Sequence, residues 1–281
     1  MIRGIGGRNG SRQVSRCVSA ASMLMVAGTV AACSSAFGAA SHQDKAPGII
    51  FADEFDGDEG PVGALWQTET GGGGWGNNEA QVYTDRAENV RVDGRGHLEI
   101  NARFDGTTIT SARLTTRRHA SVTYGRVEAR ISLPAGKGLH PAFWLLGDNL
   151  DAVGWPASGE IDVIETLNDA AQFHTGVHAP RKSSERGQNV MVSGTPPTPL
   201  AGEFHNYWMI KSPGRIETGI DKTSLFVVTR ADLAADAQWV FDAPFHVLLN
   251  LAVGGDWPGP PDDSTPNPAT MLVDWVRVTA L

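Results

Sequence analysis

The segment from Trp155 to Glu165 (WPASGEIDVIE) constrains the fold most, because it places three carboxylates within six residues of a stretch that otherwise holds Ile, Val and Ile. Interleaved apolar residues of this kind are typical of a half-buried β-strand. A solvated acidic strand face is the alternative interpretation, but a charged surface run would not carry these apolar residues. Buried carboxylates are unfavourable unless they are paired or do chemistry. We therefore predict a functional site on this strand.

The spacing of the acids predicts a β-bulge. Side chains alternate between the faces of a strand, so Glu160 and Asp162 point together, whereas regular alternation would turn Glu165 to the opposite face. One extra residue at positions 163–164 returns Glu165 to the side of the other two acids. The sequence therefore predicts three carboxylates on one face.

Alternating apolar residues recur along the chain and predict further strands. Thirty-three glycines and sixteen prolines supply the turns between them. Many short strands with such turns indicate an all-β sandwich or barrel. The only helical pattern is a turn or two at residues 231–237. The alternating positions are Leu98, Ile100, Ala102 and Phe104, then Val127, Ala129, Ile131 and Leu133, then Val247, Leu249 and Leu251, and finally Val276 and Val278.

The N-terminal region predicts export. Residues 1–16 carry four arginines and no acid, and residues 18–32 are apolar and small but too few to span a bilayer. The run VAACS at residues 30–34 resembles the lipobox of bacterial lipoproteins, which implies cleavage before Cys33 and lipidation of its sulfur. Ordinary secretion after a nearby Ala-x-Ala-like cut is the alternative. We expect a signal peptide at residues 1–32, a flexible linker at 33–47 and a single domain at 48–281.

Cysteine content and charge limit the partners. Cys33 would be the only cysteine after processing, so the exported chain would rely on its core without a disulfide. Residues 1–32 hold four arginines and no acid, so their removal changes the formal charge from −8 to −12. Such a chain repels phosphate backbones and anionic headgroups, which makes nucleic acid an unsuitable partner and a neutral polysaccharide a suitable one. We expect a monomer that contacts the membrane only through its lipid.

The acidic motif, preceded by Trp155-Pro156, resembles the signature of glycoside hydrolase family 16 in the bulged E-x-D-x-x-E form of its laminarinase-like members. The similarity covers about residues 48 to 281. Other segments match the family in the expected order: residues 77–84 (NNEAQVYT), 124–130 (YGRVEAR), 141–147 (PAFWLLG), 177–178 (VH), 249–259 (LNLAVGGDWPG) and 274–278 (DWVRV).

The resemblance implies a fold and an activity. The fold would be a β-jelly roll (concanavalin A-like) of two curved antiparallel sheets with a concave glycan-binding cleft. The activity would be retaining endo-hydrolysis of β-1,3-glucan, with Glu160 as nucleophile, Glu165 as acid/base and Asp162 in support. Retention requires carboxyls about 5 Å apart, whereas inversion requires about 6.5 to 9.5 Å. We expect a raised pKa for Glu165 and a Glu160 kept ionised by a hydrogen bond from Asp162.

The resemblance also implies substrate-binding residues. Indole rings stack on sugar C–H faces, and polar side chains bind hydroxyls. For several positions a structural role is the alternative: a core position for Trp144, turn polarity for Asn78, a cross-strand ion pair for Arg130 and an ordinary histidine for His178. The expected cleft residues are Trp144, Trp155, Trp257, Asn78, Glu79, Asn250, Arg130 and His178.

Metal chemistry is expected only in a structural role. The sequence has neither H-E-x-x-H nor a cysteine pair for a catalytic metal, so we expect no cofactor for catalysis. Glu54, Gly96 and Asp274 resemble the family's structural calcium position, where oxygen ligands suit a hard cation. A surface position for Asp274 is the alternative.

Two loops and two departures from the family pattern bear on the cleft. Residues 71–74 are four glycines before Trp75 and could approach a ligand closely, or form a mobile connection. Residues 181–203 read as a long loop that borders the cleft or is disordered. The chain has His140 where relatives usually have tryptophan, and the hairpin around Lys211 lacks aromatics common there.

Alternatives to the β-1,3-glucanase interpretation stay open. The bulged motif also occurs in agar- and carrageenan-cleaving relatives, mixed-linkage glucan is another possible substrate, and the same motif could serve transglycosylation. The acidic chain disfavours sulfated galactans through like-charge repulsion. A different class of protein, a glycan-binding surface lipoprotein or antigen that has lost turnover, could carry the same acids in a blocked cleft.

Overall fold

The computed structural model describes residues 48–281, which form two stacked β-sheets. The predicted signal peptide, the lipidation site Cys33 and the linker to residue 47 lie outside the described residues. Within residues 48–281, no helix has the length and apolar character needed to cross a membrane.

The first sheet has ten strands and lies on the side away from the acidic motif. Its hydrogen-bonded order is β15-β14-β13-β8-β17-β5-β6-β3, with β1 beside β17 and β4 beside β5. All pairs are antiparallel except β3 with β6, which is parallel. Its strands are β1 (Ile49–Asp53), β3 (Val82–Tyr83), β4 (Val90–Val92), β5 (Leu98–Asp105), β6 (Thr108–Ser111), β8 (Gly125–Ser132), β13 (Phe204–Ser212), β14 (Arg215–Ile220), β15 (Thr223–Thr229) and β17 (Ala269–Thr279).

The second sheet has seven antiparallel strands and carries the acidic motif near its centre. Its order is β12-β11-β10-β9-β16-β7-β2, so the motif strand β10 lies between β9 and β11. Its strands are β2 (Gln67–Glu69), β7 (Arg113–Thr115), β9 (Leu139–Gly147), β10 (Glu160–Thr166), β11 (Phe173–Arg181), β12 (Ser184–Gly194) and β16 (Phe245–Val253).

The core lies between the sheets and is built from the alternating apolar residues. Leu98, Ile100 and Ala102 of β5 are fully buried, as are Phe143 and Leu145 of β9. Because alternate side chains of a strand point to opposite faces, one face of each sheet supplies this core and the other stays free. The predicted all-β sandwich is therefore confirmed.

Three local expectations need correction. Residues 184–194 form β12 rather than a loop, and this edge strand was missed because its exposed face is polar and only β11 pairs with it. A one-turn helix α1 (Leu150–Val153) was not predicted, because four residues are too few to show a helical period. The predicted turn at residues 231–237 begins with a 3₁₀ helix at Arg230–Asp232.

Candidate active site

The β-bulge in β10 is present at the predicted position. Asp162 pairs with Trp144 of β9, but Ile164 pairs with the next residue, Phe143, so Val163 is the extra residue. The register on the β11 side shifts between Asp162 and Glu165 as well. Both bulged side chains point into the core and are fully buried. Glu165 therefore returns to the face of the other two acids.

The three acids lie in an open cleft on the free face of the seven-stranded sheet. The cleft has a volume of about 810 Å³ and is lined by Glu160, Asp162 and Glu165. Trp155 and Trp257 also line the cleft, and 46% and 40% of their surfaces are exposed to solvent. The cleft therefore combines buried carboxylates with exposed aromatic rings.

Glu160 is held by a tryptophan and a histidine. The indole Nε1 of Trp155 donates a hydrogen bond of 2.9 Å to Glu160 Oε2. Nε2 of His178 lies 3.6 Å from Glu160 Oε1 and 3.5 Å from Asp162 Oδ2. His178 is thus placed between two carboxylates. The expected hydrogen bond from Asp162 to Glu160 is not formed in the described structure, because His178 lies between the two groups.

Burial and like charge perturb the protonation of this group. Burial raises the pKa of Glu160, and the charge of Asp162 raises it further. Burial and the charge of Glu165 raise the pKa of Asp162 in the same way. Burial would lower the pKa of His178, but the contact with Asp162 and the nearby carboxylates raise it to about 9. An imidazolium at neutral pH therefore offsets part of the charge of the acids, but the raised pKa of Glu160 contradicts the expectation that this carboxyl is kept ionised.

Glu165 contacts a different histidine. Nε2 of His140, on β9, lies 2.8 Å from Glu165 Oε1, and both side chains are largely buried. His174 is the direct neighbour of Glu165 on β11. Its ring lies 4.7 Å from the ring of Trp257, and its Nδ1 lies 2.6 Å from Ser193 Oγ. Each catalytic glutamate candidate therefore has its own histidine.

A second hydrogen-bonded chain includes Trp144, Asn250 and Glu79 of the cleft lining. Trp144 Nε1 donates to Asn250 Oδ1 at 2.7 Å, and Asn250 Nδ2 donates to the hydroxyl of Tyr83 at 3.2 Å. That hydroxyl donates to Glu79 Oε2 at 3.3 Å, and Gln81 Nε2 donates to the same oxygen at 2.6 Å. Burial raises the pKa of Glu79. These contacts fix the polar groups that face a ligand.

Comparison with known proteins identifies the family. The family model for Glycosyl hydrolases family 16 matches residues 76–277. The chain is 40% identical to a beta-glucanase of Rhodothermus marinus over 253 residues, which cover 84% of this chain and 86% of that protein. The chain belongs to glycosyl hydrolase family 16.

Solved structures agree with this assignment. The structure of an endo-beta-1,3-glucanase from Pyrococcus furiosus superposes with a TM-score of 0.75 at 40% identity, covering 83% of this chain and 94% of that chain. The laminarinase catalytic domain from Thermotoga maritima gives a TM-score of 0.75 at 36% identity, covering 83% and 98%. The chain is therefore a family 16 glycoside hydrolase with the jelly-roll fold.

Most of the predicted residues line the cleft of this family 16 enzyme, although two do not. The guanidinium of Arg130 pairs with Asp274 and lies over the ring of Phe204, on the ten-stranded sheet. Its prediction as a cleft residue is wrong, because β8 belongs to the opposite sheet. Asn78 lies beside the cleft but not in its lining, and donates to Asp256 at 2.9 Å. The residues that do line the cleft are Trp144, Trp155, Trp257, Glu79, Asn250 and His178.

Several residues of the cleft were not predicted from the sequence. Arg113 lies between two indoles, 4.9 Å from the ring of Trp75 and 4.6 Å from that of Trp144, and pairs with Glu69. Trp75 and Gly76 line the cleft directly after the glycine run, whereas residues 71–74 are not part of its lining. On β12, the strand that was not predicted, alternate residues face the cleft. On β11, His174 and His178 are four residues apart in the run FHTGVH, so strand alternation alone places them on the same face. The residues of β12 that line the cleft are Asn189, Met191 and Ser193.

The predicted calcium ligands do not form an open oxygen site. Both carboxylate oxygens of Glu54 accept hydrogen bonds from Arg277, and Asp274 is paired with Arg130. Oxygens committed to guanidinium groups do not fit a hard cation. Among residues 48–281, one trio of side chains brings three ligand atoms within 4.8 Å of one another, namely Glu160, Asp162 and His178. The raised pKa of His178 makes an ion pair the simpler explanation of that trio.

Proposed function

We propose that the chain is a retaining endo-glycosidase that hydrolyses β-1,3-glucan. The observation that carries the proposal is the bulge at Val163, which brings Glu160, Asp162 and Glu165 together in one open cleft. The beta-glucanase and endo-1,3-glucanase relatives support the substrate class. A cleft open along the sheet, with exposed indoles, suits the interior of a polysaccharide chain.

In the first step, Glu160 attacks the anomeric carbon. A bond forms between its carboxylate oxygen and that carbon as the glycosidic C–O bond breaks, and the proton of Glu165 passes to the departing oxygen. The indole N–H of Trp155 holds one oxygen of Glu160 and thereby orients the other. The His178 cation favours the ionised form of Glu160, which is the form that attacks, against the burial that raises the pKa of this carboxyl.

In the second step, water attacks the anomeric carbon from the side that the leaving group vacated. Glu165, now ionised, takes the proton of this water, and the ester bond to Glu160 breaks. Two inversions at the same carbon give net retention. Asp162 takes no covalent part, and its role is to hold His178 beside the nucleophile.

The decisive experiment measures reducing-sugar release from laminarin, mixed-linkage glucan and agarose. The wild-type protein should turn over laminarin many times, and Glu160→Ala and Glu165→Ala should lose at least about a thousandfold in kcat while their circular dichroism is unchanged. Glu128→Ala is the matched control, since Glu128 is a carboxylate of the opposite sheet paired with Arg126. Proton NMR of the first products should show the β-anomer. Undiminished turnover in Glu160→Ala or Glu165→Ala, or an initial α-anomer, contradicts the mechanism. Binding of glucan by the wild type without turnover favours the glycan-binding alternative.

We also propose that the chain is exported, anchored by lipid on Cys33 outside the plasma membrane, and monomeric. The lipobox-like run VAACS supports the anchor. Cys33→Ala should release the protein from the membrane fraction and abolish incorporation of labelled palmitate. Light scattering of the detergent-solubilised protein should give the mass of one chain.

A further inference from the structure

His140 is bound to the acid/base candidate and to no other polar group in the described part of the chain. Its Nε2 lies 2.8 Å from Glu165 Oε1, whereas its Nδ1 is buried without a hydrogen-bond partner among residues 48–281. Its ring packs nearly perpendicular to that of Trp257, with ring centroids 5.3 Å apart. The ring is therefore held in place by packing, and its polar interaction is committed to one carboxylate oxygen.

We propose that His140 is a positioning residue that shares a proton with Glu165 and holds Oε1, which leaves Oε2 as the atom that exchanges protons with the substrate. This inference rests on the proposed glycosidase function. In the first step the proton on Oε2 passes to the leaving oxygen as the C–O bond breaks, and the charge left on the carboxylate is stabilised by the Nε2–H donor. In the second step Oε2 recovers a proton from water. His140 gains and loses no atom in either step.

The surroundings favour a protonated pair. Burial would lower the pKa of His140, but the hydrogen bond and charge of Glu165 raise it above the ordinary value, with smaller contributions from Glu79 and Asp162. His174 faces the same pair from β11, and burial lowers its pKa, so it adds little positive charge. The titratable groups that face the pair are thus Glu79 from the loop before β3, Glu160 and Asp162 from β10, and His174 and His178 from β11.

Sharing a proton has a kinetic consequence. Two coupled groups titrate as a pair. Because either His140 or Glu165 can hold the last proton, the pair loses this proton at higher pH than Glu165 would if residue 140 were a neutral amide. The basic limb of kcat/KM reports the loss of the essential acid from the free enzyme. The midpoint of this limb should therefore lie at higher pH in the wild type than in a variant whose residue 140 donates a hydrogen bond but does not titrate.

The kinetic test compares His140→Gln, which keeps an N–H donor, with His140→Leu, which removes it. On laminarin, His140→Gln should move the basic midpoint of kcat/KM to lower pH by about half a pH unit or more. His140→Leu should lower kcat about tenfold with KM within about twofold, since the lost contact acts on Glu165 rather than on binding. The matched control is His205→Gln, because Nδ1 of His205 also lies 2.8 Å from a carboxylate, that of Asp221, on the opposite sheet. A basic midpoint in His140→Gln that is unchanged, or moved to higher pH, overturns the proposal.

A second measurement does not depend on turnover. NMR of histidine-labelled protein gives the pKa of His140, whose signal is the one missing from His140→Gln. Glu165→Gln should lower that pKa, whereas an unchanged value overturns the proton sharing. If the wild type fails to cleave laminarin, the proposed function fails, and this titration still decides whether His140 and Glu165 share a proton.

Discussion

Lys211 provides a test of the electrostatics of the core. This lysine lies on β13 and is fully buried. Its Nζ donates to the backbone carbonyls of Ala243 at 2.5 Å and Val122 at 3.4 Å, and lies 4.2 Å from the centre of the Phe245 ring. These contacts replace only part of the hydration that the ammonium loses. Burial therefore lowers the pKa of Lys211 to about 7.

The magnitude follows from linkage. The pKa falls from 10.5 to about 7, and one unit of pKa difference corresponds to ~1.4 kcal/mol, so the ammonium destabilises the fold by about 5 kcal/mol at and below neutral pH. Between pH 7 and pH 10.5 the unfolded chain binds this proton and the folded chain does not. Stability from this group therefore rises with pH through that window. Between pH 7 and pH 9 the expected gain is about 2 kcal/mol.

The assay is urea unfolding of wild type and Lys211→Met at pH 7 and pH 9. Methionine fills a similar volume without a charge, so the wild type should gain about 2 kcal/mol relative to this variant over the interval. Taking the difference between the two proteins cancels all other titrations. Lys222→Met is the control, because Lys222 is exposed at the turn between β14 and β15 of the same sheet. A stability difference between wild type and Lys211→Met that is the same at both pH values refutes the reasoning.

Three further predictions concern the cleft and its surroundings. Trp155→Phe should lower kcat on laminarin by about tenfold to a hundredfold with little change in fold, because a hydrogen bond to the charged Glu160 contributes about 1.5–3 kcal/mol. Steady-state kinetics check this prediction, and an unaltered kcat contradicts it. His178→Asn should destabilise the protein most at acid pH, by up to about 3 kcal/mol. The pKa of His178 is raised to about 9, so the stabilisation from its charge is complete below the ordinary pKa of 6.5 and is lost as pH rises through 9. Thermal unfolding at pH 6 and pH 9.5 measures this difference, and an equal loss of stability at both pH values contradicts it. Arg130→Gln should leave kcat/KM within about twofold, since Arg130 and its partner Asp274 both lie on the ten-stranded sheet, away from the cleft. A large fall in kcat/KM would contradict this and restore Arg130 as a cleft residue.

The strand that carries the three acids was predictable because the relevant information is local. The face of each side chain depends on an alternation with a period of two residues, so the spacing of Glu160, Asp162 and Glu165 was enough to require an extra residue between the last two. The apolar positions of β5, β8 and β16 show the core faces by the same rule. The edge strand β12 escaped prediction, since an edge pairs on one side only and its polar residues resemble a loop.

Placement across strands was less predictable. Arg130 matched a family segment, and only the sheet order shows that β8 lies in the sheet opposite the cleft. His140 stood out in the sequence as a departure from the family pattern, but nothing local indicated its contact with Glu165, 25 residues away. The same holds for Lys211, whose burial depends on carbonyls of Val122 and Ala243 from distant loops.

The amino-acid sequence by itself determined that three acids share one face of a bulged strand, because alternation and burial act over neighbouring residues. Only the tertiary structure decided which histidine contacts which acid. Strand neighbours are set by long connections between the sheets, and the pKa of a buried group depends on every charge that those connections bring within a few ångströms.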